Sequence, residues 1–168
     1  MIPHITLSTD RLTLRTPLEE DFAPVAAFMA SPRARFVGGP VEDEFAQWRG
    51  FLSGFGHWAL RGYGFFMVLH DGHKVGRVGV VNHIMWDEPE LGWHIFDGFE
   101  GNGYATEAAA CVRDWAATDR GLGPLISYIH PDNDASRRVA ERLGARHERD
   151  RTLMEHPVQV WRHTGGPS

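Results

Sequence analysis

The chain has 168 residues, 42% of them hydrophobic, a formal charge of −5 and one cysteine. That length suits one domain over residues 1–168, large enough to bury a core without a disulfide or metal staple. The acidic balance speaks against nucleic acid as a partner, and no apolar run approaches a bilayer span. Met1 to Thr6 lacks a signal peptide's features, so a cytoplasmic protein without a membrane partner is expected.

Arg11 to Arg15 alternates apolar and polar residues and predicts a first strand. Phe22, Val25, Ala26 and Met29 fall on one helical face, which Ser31-Pro32 ends. Phe45, Trp48, Leu52 and Phe55 predict a second helix, with Gly54 and Gly56 near its end. The period then changes. Phe65 to His70 and Lys74 to Val81 predict a hairpin around Asp71-Gly72-His73, and Leu91, Trp93 and Ile95 a further strand. Helical spacing returns from Ala105 to Ala116 and stops at Gly121 and Gly123-Pro124. A short strand at Leu125 to Ile129 precedes a fourth helix through Ala135, Val139 and Leu143, closed by Gly144. Val158 to Arg162 is the last strand, with a weaker candidate at Arg146 to Arg149. Consecutive hairpin strands followed by strand-helix-strand units imply an α+β domain: one central mixed sheet with helices on both faces.

The richest stretch runs strand, glycine-bearing turn, helix, from Glu90 to Ala108. A turn entering a helix presents free N–H groups and the positive end of the helix dipole, and Gly101 and Gly103 let a phosphate approach. The segment is no P-loop, because no lysine follows Lys74, and no dinucleotide fingerprint, because Thr106 stands at the third glycine position. The alternative is a tight loop without a ligand.

Gly101-Asn102-Gly103-Tyr104-Ala105-Thr106-Glu107-Ala108, preceded by Glu90-Leu91-Gly92-Trp93, resembles the acetyl-coenzyme A signature of the GNAT N-acetyltransferase superfamily. It is closest to the branch that includes the ribosomal-protein N-terminal acetyltransferases. His130 to Ser136 with Leu143-Gly144-Ala145, and the opening Thr9 to Arg15, resemble further family segments.

The resemblance implies a mostly antiparallel sheet whose fourth strand carries a bulge and splays from the fifth. The pantetheine arm of acetyl-coenzyme A would pair with His94, Ile95 and Phe96 in that slot. Its pyrophosphate would rest on the amides of Gly101, Asn102, Gly103, Tyr104, Ala105 and Thr106. Asn133 would face the pantetheine and Ser136 the sulfur. Two departures stand out. Glu100 replaces the usual Gln or Arg, and Ala140 stands where many relatives carry a tyrosine acid.

Acetyl transfer to an amine needs a base and a proton for the leaving thiolate. The resemblance makes Glu90 the candidate base, its removal costing most at low pH, or else a solvated carboxylate at a strand end. Ser136 is the candidate acid, or else a helix cap, with Tyr128 in reserve. No metal motif occurs among the ten histidines, and Cys111 sits among core-facing helix positions rather than as a nucleophile. The implied function is N-acetylation of a primary amine, a small molecule or a protein amino terminus, in a ternary complex. The acidic charge favours a cationic acceptor. A non-catalytic acyl-coenzyme A sensing domain is the alternative, and a homodimer is compatible with either.

Overall fold

The computed structural model describes residues 2–164; Met1 and residues 165–168 of the expected domain lie outside the described residues. Eight strands form one sheet: β1 (Thr6–Ser8), β2 (Thr13–Arg15), β3 (Phe65–His70), β4 (His73–Val81), β5 (Glu90–Ile95), β6 (Ile126–Ile129), β7 (Arg146–Leu153) and β8 (His156–Arg162). Their order is β1-β2-β3-β4-β5-β6-β8-β7, antiparallel throughout except for the parallel pair β5–β6. Four helices accompany them: α1 (Phe22–Ala30), α2 (Glu44–Arg61), α3 (Tyr104–Arg120) and α4 (Asp134–Arg142). The mixed, mostly antiparallel α+β sheet expected from the sequence is the observed one.

Alternation along β3 sorts the two faces. Phe66 and Val68 join Val78, Val80 and Leu91 under Ala108, Val112 and Trp115 of α3. Met67 packs on the opposite face with Val25, Phe28 and Phe51 from α1 and α2. Helices therefore cover both faces, as period-2 strands with two apolar faces require.

Three boundaries differ from the sequence reading. The first strand shortens to Thr13–Arg15, and the unanticipated β1 pairs with it. Helix α2 runs through Gly54 and Gly56 to Arg61, where Gly62 at φ 77° caps it. Trp58 anchors that extension, fully buried, with Nε1 donating to the Phe65 carbonyl at 2.9 Å. Strand β7 is eight residues long rather than four. Its residues are largely exposed because it pairs only with β8, at the sheet's edge.

The splay lies where the sheet turns parallel. Strands β5 and β6 share the single register pair Glu90–Ile126 and then separate. The expected bulge is absent from β5: its ladder with β4 is unbroken from Gly76–Ile95 to Val81–Glu90. The opening has another cause, in the side chains of the site.

Candidate active site

After Ile126 N–H donates to Pro89 C=O, the next rung of a parallel ladder would take Tyr128 N–H to Leu91 C=O. Two side chains replace it. Tyr128 N–H donates to Glu90 Oε2 at 2.7 Å, and Leu91 C=O accepts from Ser127 Oγ at 2.5 Å. Buried His163 supports Ser127 through its Nε2, 2.7 Å from the hydroxyl, and burial lowers its pKa to about 4, so the ring is neutral. Glu90 and Ser127 thus wedge the strands apart while satisfying Tyr128 N–H and Leu91 C=O.

The wedge opens into a cavity of about 600 Å³ lined by Glu90, Trp93, Tyr128, Asn133 and Ser136, with Phe36 and His130 stacked 4.9 Å apart beside it. Trp86 Nε1 donates to Glu90 Oε1 at 2.9 Å. Burial nevertheless outweighs both hydrogen bonds and pushes the Glu90 pKa up to about 7. The loop before Glu90 is clamped to the last hairpin: Asp87 pairs with Arg149 and Arg151, and Glu88 pairs with Arg162 through both oxygens at 2.7 and 2.8 Å.

Ser136 is not the cap of α4. Asn133 is, its Oδ1 accepting from Ser136 N–H at 3.2 Å. Ser136 Oγ accepts from Trp93 Nε1 at 3.2 Å, which leaves its own proton free to donate. Tyr128 is in the same position, because its hydroxyl accepts from Asp87 N–H at 3.0 Å. Ala140 is buried beside Trp161, with Trp93 packed on the same cluster, so indole fills the space around it.

The three expected pantetheine residues divide. Phe96 N–H donates to Val75 C=O, and in an antiparallel ladder alternate residues turn the same way, so the backbone groups of His94 and Phe96 both face β4. Ile95 faces the slot, and so does Trp93. The Ile95 carbonyl accepts from Arg33 Nη1 at 2.6 Å. Arg33 Nε also lies 3.1 Å from Glu100, so the carboxylate at the usual Gln or Arg position has its charge offset by an arginine from another part of the chain.

Beyond the slot, Gly101 (φ 80°) and Gly103 (φ 79°) lead into α3, and Gly103 is its N-cap without a side-chain capping bond. Tyr104 and Ala105 are buried, so their offer to a ligand is their backbone N–H groups. Asn102 Nδ2 donates to the Phe99 and Glu100 carbonyls and holds the loop. Thr106 Oγ1 is buried without a partner, an orphaned polar atom at the mouth of a 17-residue helix. Glu107, one residue on, is held by Thr9 and by Arg11 Nε at 2.8 Å, which ties the opening segment to this turn. Free N–H groups, the positive helix end and an unfilled hydroxyl suit a pyrophosphate. Cys111 is half-buried on α3, and burial pushes its thiol pKa up, contrary to a nucleophile's need.

A splayed slot thus leads to a glycine-bearing turn at a helix N-terminus, with a carboxylate poised near neutrality beside it. The model of the GNAT acetyltransferase domain matches residues 11–146, and the chain belongs to that family. A crystal structure of an acetyltransferase from Agrobacterium tumefaciens superposes with a TM-score of 0.84 at 38% identity, covering 98% of this chain and 96% of that one. The L-2,4-diaminobutyric acid acetyltransferase of Streptomyces coelicolor is 37% identical over 91 residues, 49% of this chain and 54% of that protein. The ribosomal L7/L12 α-N-protein acetyltransferase RimL, in complex with coenzyme A, shares the fold at a TM-score of 0.78 and 16% identity, with 94% and 96% of the chains covered. Membership implies acetyl transfer from acetyl-coenzyme A, and nothing in these likenesses favours a sensing domain.

Proposed function

We propose that the protein transfers acetyl from acetyl-coenzyme A to a primary amine by direct attack in a ternary complex. The observation that carries this reading is Glu90: a carboxylate with a pKa of about 7, facing a cavity that also holds two hydroxyls with free protons. Glu90 accepts the proton of the incoming ammonium, directly or through a water. The slot-facing N–H groups of Trp93 and Ile95 hold the pantetheine and the thioester, and the amides of Gly101 to Thr106 hold the pyrophosphate. Ser136 gives its proton to the departing thiolate, with Tyr128 as the second donor. The lone cysteine fits a cytoplasmic location. A small amino acid is the favoured acceptor class, following the diaminobutyrate relative rather than the more distant ribosomal-protein enzyme.

Acetyl-coenzyme A at about a hundredfold excess over its Kd is expected to raise Tm by about 5–10 °C. No rise at millimolar concentration removes the coenzyme A reading. Released thiol with a panel of primary amines then tests transfer itself. Ser136→Ala is expected to lower kcat by about 10²–10³-fold. It also leaves Trp93 Nε1 without its acceptor, so a lower Tm does not count against the acid role. Unchanged turnover does, and it would hand the proton to Tyr128.

A further inference from the structure

Strand β4 carries one cation at an inward position, Arg77, between Gly76 and Val78. Its Nε donates to His94 Nδ1 at 3.0 Å, one terminal nitrogen lies 3.7 Å from the Met29 sulfur, and the guanidinium stacks 4.8 Å from the Phe65 ring. None of these partners is an anion. His94 is neutral, since burial and Arg77 together hold its pKa well below the ordinary range. Among the described residues no carboxylate pairs with Arg77, and burial alone draws its pKa down to about 10. A half-buried charge without a counter-ion carries a desolvation cost that an anionic ligand group would offset. Arg77 lines the same cavity as Glu90, with Arg35 also on its wall, so two arginines face one carboxylate.

The register fixes the spacing. Arg77 lies opposite His94, on the face of the sheet that also carries Glu90 and Gly92. Four steps along the strand carry Glu90 to His94, about 13 Å between Cα atoms. Gly92, between them, leaves room for the Phe65 ring, whose Cζ lies 3.4 Å from where a Cβ would stand. The acidic composition suggested a cationic acceptor, but the local charge is of the other sign.

We propose that Arg77 anchors an anionic group of the acceptor, a carboxylate, several bonds from the nitrogen that is acetylated beside Glu90. The acceptor is then an amino acid or diamino acid rather than a simple polyamine. This rests on the amine-acetylation reading above and narrows it.

The test compares amines that differ only in the carboxylate: 2,4-diaminobutyrate against 1,3-diaminopropane, and lysine against 1,5-diaminopentane. Wild type is expected to favour the carboxylate-bearing member by about 10–100-fold in kcat/KM. In Arg77→Gln that preference collapses, mainly through a raised KM for the carboxylate-bearing member. Arg77→Lys retains part of it, because the charge remains and the planar fork does not. Acetyl-coenzyme A affinity checks that each variant is folded. Equal kcat/KM for both members in wild type overturns the inference and leaves acetylation standing; so does a preference that survives Arg77→Gln. Turnover of no amine at all overturns the acetylation reading, and the inference with it.

Discussion

Glu90→Gln is expected to lower kcat/KM by about 10²–10⁴-fold at about pH 8, with acetyl-coenzyme A affinity nearly unchanged. The amide keeps one oxygen for Trp86 or Tyr128 but has no basic site, so the proton of the ammonium has nowhere to go. The pH profile carries the assignment. In wild type the rate rises as Glu90 loses its proton at about pH 7. Below that pH the carboxyl is protonated and wild type lacks the base as well. The loss is therefore largest above neutrality, opposite to what an ordinary carboxylate would give at low pH. Stability supplies a second readout. The folded pKa is raised from 4.5 to about 7, so the folded state holds the proton more tightly. That contribution is full below the unfolded pKa and is lost as pH rises through 7, at a cost of about 3 kcal/mol. Glu90→Gln removes this slope from the Tm-against-pH curve. A variant that keeps the limb at pH 7 in its rate profile would show that another group is the base.

Gly103→Val is expected to abolish the Tm rise produced by acetyl-coenzyme A. Gly103 sits at φ 79°, where a β-branched residue is strained by about 1–2 kcal/mol. Its Cβ would meet only the flexible Nη2 of Arg11, at 3.4 Å, so the fold survives. The branched side chain stands over the free N–H groups that a pyrophosphate must reach. Gly98→Val is the control: φ 88° imposes similar strain, a Cβ there meets nothing within 4 Å, and the position lies outside the cradle. That variant should lose some stability and keep the ligand-induced rise. Normal binding by Gly103→Val would move the phosphate site elsewhere.

The glycine turn before α3 and the four helices were legible in the sequence because glycine placement and helical period are local signals. Of strand β7, Arg146–Leu153, only the first half was legible, since an edge strand whose residues are mostly exposed carries no apolar alternation. The run of helix α2 past two glycines was hidden too, because burial of Trp58 outweighs their propensity cost. At the site, Glu90 and Ser136 stood out by position, but their partners come from distant segments. Trp86 and Tyr128 raise no local signal that they will share one carboxylate, and neither does Arg33 for Glu100. The direction of the backbone at His94 and Phe96 depends on the β4 register, which residue types do not specify. Arg77 offered one clue, a charge inside an apolar strand, but its missing counter-ion becomes visible only once the sheet is assembled.

The central claim, transfer of acetyl to an amine at the Glu90 site, is tested most directly by quantifying both products in one reaction. Free coenzyme A thiol and acetylated amine are measured together by mass spectrometry, for wild type and Glu90→Gln at about pH 8. The account predicts one acetylamine for each thiol released by wild type, and far less of both from a variant that still binds acetyl-coenzyme A. Thiol without acetylamine would show hydrolysis instead. Binding with neither product, across the amine panel, would contradict transfer altogether.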